Sequence, residues 1–192
     1  NTRKNCDRVI SPENGEDVGN IRRIGPIVRE INLSREELRK KFSFNKKTIL
    51  ISVGGTDAGL FLIQKSIESI LKLNLDIEII LVTGPSITKK FDNVKNLGFV
   101  DNLHELIYAS DVVISLAGKS TIDEAKAYGT PGIFIPIKDH FEQENNSKNE
   151  GFTFNDINKL DELILEKLDK KRNKVNTNGA ELAAEIIRKF TK

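Results

Sequence analysis

Three stretches of the chain carry residue types that could hold an anion and a polyol. The first is VGGTDAG at 53–59. Gly54 and Gly55 let backbone approach a ligand closely, with Thr56 beside them. The helix that follows offers free N–H groups to an anion. No GK[ST] closes this loop and its spacing is not GxGxxG, so it is neither a Walker loop nor a dinucleotide fingerprint. A tight strand-to-helix turn explains it equally well. Asp57 would repel a phosphate unless it points away or caps the helix. The second stretch is GKSTIDE at 118–124. Gly118 leads into a helix whose first turn holds Lys119, Ser120 and Thr121, and hydroxyls and N–H groups at a helix start suit a diphosphate. Glu124, one turn on, could accept both hydroxyls of a ribose. The plainer reading is a capping arrangement followed by a solvated glutamate. The third is DHFEQENN at 139–146. Glu142, Gln143 and Asn146 are the carboxylates and amides that hold sugar hydroxyls. Without context the same residues describe a solvated helix. His104 and His140 read as surface or capping residues, since two histidines so placed support no Ser-His-Asp arrangement.

These stretches need elements to position them. KTILISVGG, IEIILVTG, DVVISLAG and PGIFIPI are apolar runs ending in or near glycine or proline, and read as buried strands. NVKNLGFV is a shorter strand. AGLFLIQKSIESILKL, NLHELIYAS, STIDEAKAYG and HFEQENNSKNEG have helical spacing, as do the terminal LDELILEKLDKK and AELAAEIIRKF. Ser34 stands three residues before Glu37, a capping box that opens LSREELRKKF. In the leading segment DRVI and NIRRIGPIV read as short strands. Alternating strands and helices mean an α/β fold, a parallel sheet covered on both faces. Ligands on such sheets sit at the carboxyl ends of the strands. The glycine turns VGGTDAG, VTGPS and SLAGKST all fall there and should line one crevice.

Composition narrows the function. The 192 residues carry a net charge of only +2, with 38% hydrophobic and 30% charged residues. That is a globular profile without a basic field for nucleic acid. Two histidines and one cysteine exclude a Cys/His zinc cluster, and no metal site is expected. The lone Cys6 cannot form an internal disulfide, which fits a reducing compartment. No apolar run approaches a membrane span, and no signal peptide opens the chain. Methionine is absent even at the start. The opening NTRKNCDRVI reads as mid-protein sequence, so the expectation is a piece of a longer protein. The alternative is a removed initiator methionine.

Taken together, the segments from about Gly25 to Asn146 resemble the C-terminal, nucleotide-sugar-binding half of family 28 GT-B glycosyltransferases, the family of the peptidoglycan UDP-N-acetylglucosamine transferase. The strongest part is GFVDNLHELIYASDVVISLAGKSTIDEAKAYGTPGIFIPIKDHFEQENN. The resemblance implies a Rossmann-like domain at 34–192, including the C-terminal helices, preceded by an interdomain segment at 1–33. It implies that Arg29, in GPIVR, reaches the diphosphate and that VGGTDAG faces nucleotide and acceptor. Phe99 would pack on uracil, with the Val100 backbone pairing with the base. AGKST would be the phosphate-binding helix start and Glu124 the ribose acid. Gln143 would contact the donor sugar with Glu142 and Asn146 as companions. UDP-sugar would be the donor substrate, with no cofactor. A missing N-terminal domain would bring the acceptor, the general base and peripheral contact with the inner face of a membrane, giving a cytoplasmic location.

Two residues depart from the family pattern. Lys119 stands where the family has a small or apolar residue, and either helps neutralise the diphosphate or faces solvent. Asp57 is unlike the glutamine-bearing loop of the peptidoglycan enzyme and resembles instead GT-B-like hydrolases that release UDP from amino sugars. The expected function is donor binding for transfer of a hexosyl group, N-acetylglucosaminyl among the candidates. A UDP-sugar hydrolase and a non-catalytic nucleotide-sugar-binding subunit are the rivals.

Overall fold

The structure is a computed structural model that describes residues 6–54 and 57–190. Its contacts divide the chain into two units. One joins residues 1–30 to 175–192, and the other is residues 31–174. The boundary expected from sequence, at 33, placed the last helix with the sheet; the contacts group it instead with the leading segment.

In the first unit, β1 (Val9–Ser11) and β2 (Ile21–Arg23) form a short parallel pair. Arg23 N–H is held by Asp17 Oδ1 at 2.8 Å. The terminal helix, Gly179–Phe190, presents its closing Phe190 to the Arg8 guanidinium, 5.0 Å from the ring centre.

The second unit is built on five parallel strands: β3 (Lys47–Ser52), β4 (Ile77–Val82), β5 (Lys95–Gly98), β6 (Val112–Leu116) and β7 (Gly132–Ile135). Their spatial order is β5-β4-β3-β6-β7. The chain moves outward from β3 in one direction, then returns to lay β6 on its other side. The switch point therefore lies between β3 and β6, where such sheets open a crevice beyond their carboxyl ends. Both strands are buried on both faces, with all five residues of β6 and all but Lys47 of β3 inaccessible. That explains their unbroken apolar runs. Register brings Ser52 opposite Ser115 at the last step of this pair.

The helices are α1 (Arg35–Phe42), α2 (Leu60–Lys72), α3 (Leu103–Ala109), α4 (Lys119–Tyr128), α5 (Phe141–Asn149) and α6 (Leu160–Asp169). The capping box at α1 is present: Ser34 Oγ accepts from Glu37 N–H, and the Glu37 carboxylate accepts from Ser34 N–H at 2.8 Å. On α2, Leu62, Ile63, Ile67 and Ile70 face the core. Phe154–Lys159 forms a 3-10 helix before α6 that the apolar pattern did not predict. Among the described residues no helix is long and apolar enough to cross a membrane.

Candidate functional site

The carboxyl end of the sheet gathers the turns after β3, β4 and β6. Gly54 takes a left-handed φ of 75° and is exposed, and its carbonyl accepts from Gly84 N–H at 2.7 Å. That bond ties the turn after β3 to the turn after β4. Gly59 ends a 3-10 turn, Asp57–Gly59, and precedes α2. A Cβ there would stand 2.5 Å from Cβ of Val53, so only glycine lets the helix start press onto the strand end. The loop thus uses one glycine for its turn and another for packing. Gly55 and Thr56 lie outside the described residues. Asp57 is exposed.

The turn after β6 is shorter still. Gly118 is the N-cap of α4, in extended conformation, and no side chain caps it. The first N–H groups of a helix have no intrahelical partner, and they carry the positive end of the helix dipole. In α4 they open at the switch point. Ser120 is exposed and Thr121 half-buried in this first turn, but neither hydroxyl caps it, contrary to the capping arrangement weighed from the sequence. Lys119 does not simply face solvent. Its ammonium pairs with the Asp123 carboxylate one turn along, so much of its charge is matched within the helix. Glu124 is half-buried on the second turn.

Phe99 and Val100 follow β5, the edge strand. Gly98 O accepts from Thr83 N–H at 3.1 Å, which joins this strand end to that of β4. Phe99 is 65% exposed, whereas Val100 packs partly against the core. The ring is therefore presented outward from a fixed base.

On the other side of α4, α5 begins at His140, whose Nδ1 accepts from Gln143 N–H at 3.4 Å. His140 is thus the capping residue that the sequence allowed it to be. Gln143 Oε1 accepts from Ile137 N–H at 3.1 Å, and Glu144 Oε1 accepts from Asp139 N–H at 2.9 Å. Two side chains of the first turn lace the preceding loop to the helix, which spacing alone did not reveal. Asn146 Nδ2 donates to Ala117 O at 3.1 Å, one residue before the α4 cap. This bond places α5 beside the start of α4. Beneath it, the buried Ser147 hydroxyl donates to Phe134 O of β7 at 2.8 Å. Glu142 is exposed in the first turn.

The second unit thus brings Gly54, Gly118 to Thr121, Gln143 and Asn146 to one end of the sheet. Phe99 and Val100 stand at the same end, just past its edge strand, and Glu124 one turn along α4. Arg29 is exposed and belongs to the first unit, so the site is built here without it. An uncapped helix start, a nearby carboxylate and a pair of anchored amides can bind an anion joined to a polyol.

The family model that matches is the glycosyltransferase family 28 C-terminal domain, over residues 48–192. An uncharacterized glycosyltransferase of Methanosarcina acetivorans is 33% identical over 128 residues, 64% of this chain and 32% of that protein. The UDP-N-acetylglucosamine--N-acetylmuramyl-(pentapeptide) pyrophosphoryl-undecaprenol N-acetylglucosamine transferase of Aquifex aeolicus is 34% identical over 134 residues, 62% of this chain and 38% of that protein. The chain thus spans about a third of the length of these curated relatives. Among solved structures, the spinosyn forosaminyltransferase SpnP superposes with a TM-score of 0.58 at 16% identity, covering 85% of this chain and 47% of its own. Phytolacca americana UGT2, complexed with UDP-2fluoro-glucose and pterostilbene, gives 0.51 at 14% identity, with 90% and 47% covered. At such identities the likeness is one of fold.

Proposed function

This chain belongs to glycosyltransferase family 28, whose C-terminal domain it carries, and we propose that the carboxyl end of its sheet binds the UDP-sugar donor of a hexosyl transfer. The observation that carries this reading is the α4 start, which opens uncapped at the switch point between β3 and β6. Its N–H groups and dipole receive the diphosphate and stabilise it as it departs, with Ser120 and Thr121 adding hydroxyls. Glu124 accepts the ribose hydroxyls. Phe99 covers the uracil face and the Val100 backbone pairs with its edge. Glu142, Gln143 and Asn146 hold the sugar. The Aquifex aeolicus relative is named for a transfer of N-acetylglucosamine, and the Phytolacca americana neighbour was solved with UDP-2fluoro-glucose; both agree with such a donor.

Transfer also needs an acceptor aligned with the anomeric carbon and a base to take its proton, and that alignment supplies a large share of the rate. We assign both to a further half of a longer protein. The hydrolase reading, with water as acceptor, keeps one supporting feature: Asp57 is exposed at the start of the turn before α2. Titration with UDP, ADP and GDP, followed by assay of UDP released from UDP-sugars, tests the proposal. UDP should bind best, with a Kd of roughly tens of micromolar to millimolar, and release should not exceed background. Equal affinity for the three nucleotides would remove base reading from Phe99 and Val100. Rapid release abolished by Asp57→Asn would favour the hydrolase.

A further inference from the structure

Helical spacing puts Glu144 and Lys148 on the side of α5 opposite Gln143 and Asn146. There they line a cleft of about 420 Å3 that the donor reading does not use. Such a volume lies in the range of small-molecule sites. The floor is apolar: Pro136 and Phe152 are buried and Phe154 is half-buried. Neighbouring rings fix these walls. Phe152 stands edge-on to Phe134 with centres 6.3 Å apart, and Phe154 lies 5.6 Å from Phe61. The rim is charged. Lys138, in the loop after β7, and Lys148, on α5, are both exposed, and among the described residues neither ammonium has an ion-pair or hydrogen-bond partner. Lys148 is left free for a local reason. Glu144, four residues before it and the usual partner at that spacing, accepts from Asp139 N–H at 2.9 Å instead. Phe141, three residues before Glu144 on the same face, is 80% exposed, the most of any large apolar side chain among the described residues.

We propose that this cleft is a second binding site, for a small soluble amphipathic anion: a carboxylate or phosphate monoester on an apolar ring or short chain. The apolar body displaces water from Pro136, Phe152 and Phe154, and Phe141 adds an aromatic surface on the same side of α5. The anion takes the ammonium groups of Lys138 and Lys148, which nothing else in the fold matches. Of the two carboxylates on the rim, Glu144 is committed to backbone. Asp139 opposes an anion, so it weakens binding without reversing the preference. A recessed aromatic floor suits a small molecule better than a membrane surface. Pro136 and Lys138 flank Ile137, whose N–H holds Gln143, so an occupant sits against the loop that reaches the donor side. The site itself does not depend on the donor reading.

Three probes with one apolar body and different charge test this: 1-naphthoate, 1-naphthalenemethanol and 1-naphthylmethylamine, titrated into the 15N-labelled whole chain with and without UDP. The acid should move the amides of Lys138, Lys148, Phe152 and Phe154 saturably, and UDP should not displace it. The alcohol should bind about tenfold more weakly, the worth of two partly exposed ion pairs, and the amine more weakly still. Lys138→Gln and Lys148→Gln should each weaken the acid about threefold and leave the alcohol unchanged, whereas Asp139→Asn should tighten the acid about twofold. Phe141→Ala should weaken acid and alcohol alike, by about fivefold. All four side chains are exposed, so the variants should fold. Equal affinity for the three probes, or lysine variants that bind the acid as well as wild type, would overturn the preference for an anion. Absence of saturable shifts at the cleft, or shifts at Gly118 to Thr121 that UDP displaces, would overturn the site. Binding to phosphatidylglycerol vesicles with no response to 1-naphthoate would make the cleft a membrane contact and overturn the small ligand.

Discussion

The two ends of the central sheet treat charge in opposite ways. At the amino end Asp111, just before β6, accepts from Arg35 at 2.7 Å, from Arg39 at 3.0 Å and from Thr48 N–H at 2.8 Å. Burial pushes this carboxyl up, but the Thr48 N–H and the two guanidiniums outweigh it and hold the group below its ordinary value of 3.8. Nearby, Arg172 donates to the carbonyls of Tyr108, Ser110 and Tyr128, and to Thr130 Oγ1, at 2.7 to 3.2 Å. Burial, with Arg35 close by, pushes it down to about 10, so it remains a cation at neutral pH. Those carbonyls close α3 and α4, where a cation complements the helix dipole. At the carboxyl end, by contrast, α2 and α4 both begin without a side-chain cap, at Gly59 and Gly118. Matched charge at one end stabilises the fold. Unmatched donors at the other are what a ligand can use.

Substitutions should separate the two ends. The largest effect belongs to Asp111→Ala. It leaves the Thr48 N–H without its acceptor and takes the carboxylate from Arg35 and Arg39, which keep only carbonyl partners, and it should lower stability by about 2–3 kcal/mol. Denaturant unfolding measures this, and UDP affinity of the folded protein should not change. A loss of UDP binding there would blur the contrast between the ends. At the other end, Glu124→Ala should lower UDP affinity about ten- to a hundredfold, as charge-assisted hydrogen bonds worth roughly 1.5–3 kcal/mol would be lost. Unchanged binding by calorimetry would remove Glu124 from the nucleotide site.

Acid should reproduce part of the Asp111 effect. Its folded pKa is depressed, so its contribution is present above the ordinary value of 3.8 and is lost as pH falls through the lower folded value. The stability gap between wild type and Asp111→Ala should therefore be full near neutrality and narrow below about pH 4. Unfolding curves across pH 7 to 2 would show it, and a constant gap would contradict the assigned cause. The smallest effect should be that of Lys119→Ala. Because Asp123 already matches this ammonium, UDP affinity should fall by no more than about threefold, within the worth of an exposed ion pair. A larger fall would mean that Lys119 leaves Asp123 for the diphosphate.

The sequence exposed the carboxyl end better than the amino end, for a physical reason. Strand runs, glycine turns and helix starts are local signals, so the switch-point turns and the order of elements could be read from spacing. The Lys119–Asp123 pair was equally local, four residues apart on a helix. Thr153 and Asp156 likewise spell a capping box ahead of the 3-10 helix. Both are local signals, carried by residues three or four apart. Arg172 was not legible. It sits in a polar joint and acts on residues 42 to 64 positions earlier. The anchoring of Gln143 and Asn146 was hidden too, because a helix that reads as solvated turns out to be tied to the loops after β6 and β7. Grouping the last helix with the leading segment depends on contacts across almost the whole chain.

Amide chemical shifts followed by NMR during a UDP titration would test donor binding at the carboxyl end most directly. The shifts should concentrate at Gly54, Phe99 to Val100 and Gly118 to Glu124, saturate with one Kd, and leave Thr48, Asp111 and Arg172 unmoved. Absence of saturable shifts, or shifts centred on the amino end around Asp111, would contradict it.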